Sequence, residues 1–294
     1  MDRNFIDIAV VATMSAGKST LVNSLIGTEL MHSANEATTA KITIIEQDSQ
    51  LDSYIGSARL ASGVRLKPHK KIDAEILCGW NRESKIVEIS LKGPFQNVIP
   101  LAKPIRVYDT PGPNNSRDNT HQQILESFLS ENKLDLVFYI LNATQIGIND
   151  DQVLLKSLIS RPAKSIGNII FIINKIDALD EERGEAIQLV TEKVTKYLES
   201  NGVAKNLLNN IVCMSAETIL VASKYMNQVK LTRSERHALM KLVNRDGTKK
   251  LLTYQELDRL EDKNKVAIFN GLIKDSGILN LNLMLINLFK GEND

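Results

Sequence analysis

Short apolar runs alternate along this chain with segments whose apolar residues recur every three or four positions. The run from Phe5 to Val11 predicts a first strand, and the spacing of Leu21, Val22, Leu25 and Ile26 predicts a helix over about 18–26, stopped by Gly27. Thr28 to Ala40 is polar and without period, hence a loop, and Lys41 to Glu46 alternates into a second strand. Further strands are predicted at 86–91, 104–108, 134–141, 168–173 and 210–214. The run from Leu134 to Leu141 is apolar almost throughout, as a strand buried on both faces should be. Helices are expected from Thr120 to Leu129, after a cap in Asn149 to Gln152, from Glu181 to Leu198, and over 221–243, 254–273 and 278–289. Residues 48 to about 100 carry the weakest pattern, with an exposed turn at Lys67 to Lys71 and no assignable chemistry. Strands alternating with helices predict a doubly wound, mostly parallel α/β sheet with a helical C-terminal insertion.

Candidate chemistry falls where the predicted strands end. Ala12 to Thr20 reads A-T-M-S-A-G-K-S-T between the first strand and the first helix, the setting of a phosphate-binding loop. There the backbone N–H groups of Met14, Ser15, Ala16, Gly17, Lys18, Ser19 and Thr20 can converge on an oxyanion. Gly17 permits close approach, Lys18 brings a compact positive charge to the β- and γ-phosphates, and the Ser19 hydroxyl can ligate Mg²⁺. The first glycine of the usual pattern is Ala12, which costs about 1 kcal/mol if that position needs φ > 0 and almost nothing otherwise.

Thr38 and Thr39 precede the second strand, where a hydroxyl could complete a Mg²⁺ shell; the register leaves the choice between them open. Asp109-Thr-Pro-Gly112 follows another strand: the carboxylate can hold a metal-bound water, and the Gly112 N–H can meet a γ-phosphate. Asn174-Lys-Ile-Asp177 ends a buried strand. The Asp177 carboxylate can accept both hydrogen bonds of the guanine N1–H and N2–H₂ edge, a pair adenine does not offer. The Lys175 stem would lie along the base, and a backbone N–H at Ser215 or Ala216 could meet the guanine O6. Each motif is common in isolation; in this order, after a phosphate loop, they are specific.

Composition narrows the class. The 294 residues carry 36 Lys and Arg against 35 Asp and Glu, a net charge of +1 that argues against a nucleic-acid specialist. Cys78 and Cys213 are far apart and lack metal-ligand spacing, which suits a reducing cytosol, and the four histidines are scattered. No leader pattern or long uninterrupted apolar run stands out, so a cytoplasmic protein is expected, at most peripheral to a membrane.

Jointly, these motifs resemble a translation-factor-type GTPase and, more narrowly, the dynamin superfamily, most closely its bacterial members. Ser15-Ala-Gly-Lys-Ser19, Thr38 to Thr43, the long insert before Asp109-Thr-Pro-Gly-Pro-Asn114, and Leu141 to Gln145 carry the narrower likeness. It implies one GTPase domain over 1–294, with insertions at about 48–100 and 218–275 and without a stalk or membrane domain. It implies catalytic roles for Ser15, Lys18 and Thr39, Mg²⁺ held by Ser19, Thr39 and, through water, Asp109, and K⁺ or Na⁺ in place of an arginine finger. Pro113, where Ras-like enzymes carry glutamine, agrees. The expected partners are GTP and GDP, a second copy meeting this one across the nucleotide, and a stalk-bearing or other partner chain through which any membrane contact is indirect. The competing expectation is a nucleotide-gated scaffold with negligible turnover; an ATPase is disfavoured by Asn174-Lys-Ile-Asp177.

Overall fold

The computed structural model describes residues 4–13, 15–31, 41–112, 120–147, 149–161, 165–180, 184–244 and 252–290. Eight strands form one sheet: β1 (Ile6–Ala12), β2 (Ile42–Gln47), β3 (Ile55–Leu60), β4 (Ile86–Gly93), β5 (Ile105–Asp109), β6 (Leu134–Asn142), β7 (Ile166–Asn174) and β8 (Ile211–Met214). Their order is β3-β4-β2-β5-β1-β6-β7-β8, parallel except where β2 meets β5 and β3 meets β4.

The period of two sorts the side chains of each central strand onto two cores. In β1, Ile6, Ile8, Val10 and Ala12 join one core while Ala9 and Val11 join the other. The first core is covered by α1 (Lys18–Ile26), α2 (Ala74–Arg82), α6 (Ala216–Met226) and α10 (Ile278–Phe289); the second by α3 (Thr120–Glu131), α4 (Asn149–Ile159) and α5 (Ile187–Ser200). A third, smaller core joins α6 to α7 (Arg233–Val243), α8 (Tyr254–Asp258) and α9 (Asp262–Asp275). No single helix among the described residues is long and apolar enough to cross a membrane.

Several boundaries differ from the sequence pattern. The expected helix over 221–243 is two: α6 starts at its Ser215 cap, and α7 starts after Thr232, whose side chain forms a capping box with Glu235. Likewise 254–273 divides into α8 and α9. The helix expected from Glu181 begins at Ile187; Glu185 and Asp180 instead close a turn, the Glu185 N–H donating to the Asp180 carbonyl at 3.0 Å. No acidic residue lies in the first turn of α5. The side chains of Asn149 and Asp150 lie outside the described ones, so the cap read there is untested. In β3 the buried positions are Gly56 and Ala58, too small to print a hydrophobic alternation. A Cβ on Gly56 would press on the Ser90 carbonyl of β4, so close strand approach selects the residue that erases the signal.

Lys41 ties the beginning of β2 to the end of α2. Its buried ammonium donates to the carbonyls of Trp80, Asn81 and Glu83 at 2.6, 2.9 and 2.6 Å, and this burial pulls its pKa down, with Glu83 opposing. The last carbonyls of a helix have no intrahelical donor, and a cation there also meets the helix dipole. Lys41→Met keeps much of the apolar stem but orphans these groups. It is expected to cost about 2–4 kcal/mol, read as a lower denaturant midpoint at unchanged slope.

Candidate nucleotide site

The carboxyl ends of β1, β5, β7 and β8 bring most of the described candidates to one edge of the sheet. Among the described residues of the turn after β1, Ser15 (φ 63°) and Gly17 (φ 91°) are left-handed. Ala12 has no positive φ: it is the last residue of β1, paired with Ile140 of β6. The substitution of the first glycine therefore carries no backbone penalty.

Gly17 has a second constraint. A Cβ there would collide with the Asn174 amide, with the Lys175 stem just beyond it. Gly17 is also the N-cap of α1, with no side-chain cap bond and no acidic residue in the first turn. The first amides of α1 thus keep their affinity for an external anion. Lys18, in that turn, forms an ion pair with Asp109 at the end of β5. Thr110 next to it donates to the Val10 carbonyl at 2.7 Å, joining the β5 turn to β1. The Gly112 carbonyl lies 3.2 Å from His121 Nδ1 on α3.

Asn174 links the β7 end to both neighbouring turns. Its amide Nδ2 donates to the Ala16 carbonyl at 3.0 Å, and its Oδ1 accepts from the Ala216 N–H at 3.0 Å. One buried side chain thus holds the phosphate loop against the turn after β8. Lys175 adopts φ 68° and Asp177 follows in a short turn of helix. The Ser215 hydroxyl donates to Asp177 Oδ1 while accepting from the Thr218 N–H at 3.1 Å and from Thr218 Oγ1 at 2.7 Å, which uses its full hydrogen-bonding capacity. The Ser215 N–H donates to the Ser276 carbonyl at 2.9 Å. Both amides read as candidates for a guanine O6 are therefore engaged within the protein, and Ser215 gives its hydroxyl to the Asp177 carboxylate instead. Burial first, then the Asp177 charge, pushes the nearby Glu217 carboxyl up. A cavity of about 710 Å³ opens beside Asp177 and Ser215, walled on its far side by Ile268, Gly271 and Leu272 of α9.

The structure brings Ser15, Ala16, Gly17, Lys18, Ser19, Thr20, Asp109, Gly112, Asn174, Lys175, Asp177, Ser215 and Ala216 to this edge; Met14, Thr38 and Thr39 lie outside the described residues. No cluster of metal-ligating side chains is present among the described residues. Sequence reading missed Thr218 and Ser276, whose contacts with Ser215 carry no motif of their own.

Comparison with known proteins finds the following likenesses. Residues 8–176 match the model of the dynamin family. Dynamin-like protein A of Bacillus subtilis (strain 168) is 27% identical over 177 residues, which is 59% of this chain and 14% of that protein. A solved structure of an oligomerised bacterial dynamin pair superposes with a TM-score of 0.50 and 15% identity, over 90% of this chain and 39% of that one. The chain therefore spans well under half the length of both.

Proposed function

Because the chain belongs to the dynamin family, we propose that it binds GTP selectively and hydrolyses it to GDP and phosphate, with turnover raised when two copies meet across their nucleotides. One observation supports the reading best. Asn174 bonds both the phosphate loop at Ala16 and the turn at Ala216, so phosphate and base recognition form one preorganised surface.

In this reading the amides of residues 15–20 and the Lys18 ammonium hold the phosphates. Lys18 exchanges its partner, leaving Asp109 for the β- and γ-phosphate oxygens. Asp177, oriented by Ser215, accepts the guanine N1–H and N2–H₂ donors, and the Lys175 stem covers the ring. The Ser19 hydroxyl is a hard oxygen donor of the kind Mg²⁺ takes, Thr39 would join it, and the Asp109 carboxylate would hold the ion through a water. Bound there, Mg²⁺ would neutralise charge on the phosphate oxygens. Ser15, exposed at the lip of the loop, would position the attacking water and, with K⁺ or Na⁺, supply what an arginine finger supplies elsewhere. A stalk-bearing or other partner chain would convert the cycle into assembly or membrane remodelling; the structurally similar bacterial pair is described as sensing and tethering membranes.

The test is GTP turnover per molecule as protein concentration rises, first in K⁺ and then in a larger organic cation. Specific activity that climbs with concentration and requires the small cation is the expected result. Flat, negligible turnover with intact GTP binding would replace this reading with a nucleotide-gated scaffold.

A further inference from the structure

The second residue of the phosphate loop, Thr13, has a contact that no motif predicts. Its hydroxyl donates to Asp151 Oδ1 of α4 at 2.7 Å, across 138 residues of chain, and both side chains are buried, 6% and 2% exposed. Asp151 is held in turn, since its carbonyl accepts the Tyr139 hydroxyl of β6 at 2.9 Å. Described residues between β6 and α4 are also tied down. Asn142 Oδ1 accepts from the Thr144 N–H and hydroxyl at 3.1 and 2.9 Å, and a Cβ on Gly147 (φ 77°) would press on the Tyr197 ring.

A first-turn carboxylate on a helix is often only a partner for the helix dipole. This one accepts instead from the loop that must hold its shape, and the loop needs help. Ser15 occupies a left-handed conformation that non-glycine residues disfavour. Asn174 pins one flank of that residue at Ala16, and Asp151 pins the other at Thr13.

We propose that Asp151 is a positioning residue for the phosphate loop, acting through Thr13 to hold Thr13 and residues 15–17 in the anion-binding conformation before nucleotide arrives. Its benefit for guanine-nucleotide binding rests on the function proposed above; its effect on loop order does not.

Three variants test it: Thr13→Val, which keeps the shape and removes the donor; Thr13→Ser, which keeps the donor; and Asp151→Asn, which keeps an acceptor. Hydrogen exchange of the nucleotide-free protein is measured first. In Thr13→Val the amides of residues 15–18 should exchange about tenfold faster, while β5 and β7 are unchanged; Thr13→Ser and Asp151→Asn should stay near wild type. Equal loop protection in Thr13→Val and wild type, or faster exchange spread across the whole sheet, would overturn the proposal.

GDP dissociation is measured next, and Thr13→Val should release GDP about tenfold faster, the scale of one lost hydrogen bond. A looser loop with unchanged GDP release would refute the claim that this tie serves the ligand. A wild-type protein that binds no guanine nucleotide would defeat the proposed function and leave the exchange result standing.

Discussion

Lys18→Ala is expected to weaken GTP and GDP binding about a thousandfold, which isothermal titration would register as loss of measurable heat at micromolar protein. Two charge-assisted bonds from one ammonium to phosphate oxygens contribute about 1.5–3 kcal/mol each, and a thousandfold is about 4 kcal/mol. The structure adds a consequence that the motif does not contain. Lys18 is the ion-pair partner of Asp109, and both side chains are largely shielded, 15% and 9% exposed. Removing the lysine leaves that carboxylate uncompensated, so the nucleotide-free variant should also melt several degrees lower. Lost binding at an unchanged melting temperature would support the phosphate role and count against the ion pair. A dissociation constant like that of the wild type would refute the phosphate-loop assignment.

Asp177→Asn should reverse base preference, cutting GTP affinity about a thousandfold relative to the xanthine nucleotide. The direction follows from Ser215. Its hydroxyl donates to Asp177 Oδ1, and in the variant only the asparagine oxygen can accept that bond. The new NH₂ is therefore turned toward the base. There it opposes the guanine N1–H and N2–H₂ donors but pairs with the extra carbonyl of xanthine. Competition between GTP, XTP and ATP for the variant measures the shift directly. Retained preference for GTP over XTP would remove Asp177 from the base-reading role. A Ser215→Ala, Asp177→Asn double variant should discriminate less sharply, because the amide would then be free to flip.

Much of the fold was legible because burial on two faces writes a strong signal. β6 and β7 are runs of Ile, Leu, Val and Phe that no exposed segment could carry, and the sheet buries both their faces. The candidate site was legible as five motifs; Thr38 and Thr39 lie outside the described residues, and the other four each stand at a predicted strand end. The weaker regions failed for identifiable reasons. In β3 the buried positions are Gly56 and Ala58, and the late helices break inside the stretches read as continuous, one at the Thr232 cap of α7 and the other between Arg259 and Glu261, where the α9 cap makes no side-chain bond. Ala12 could not be weighed from sequence, since its cost depends on a φ angle that only the pairing with β6 settles.

The sequence by itself determined the alternating α/β architecture and the family, and it picked out the residues proposed to hold the phosphates and to read the base. These are properties of local composition: apolar period, small residues at a turn, and charged groups at fixed offsets. Tertiary structure decided how the pieces act on one another. It joined Ala16 to Ala216 through Asn174, Lys18 to Asp109, Ser215 to Asp177 and Thr13 to Asp151. Each of these contacts spans tens of residues or more. A hydrogen bond requires a donor and an acceptor within about 3 Å, and only the folded sheet brings such distant residues that close.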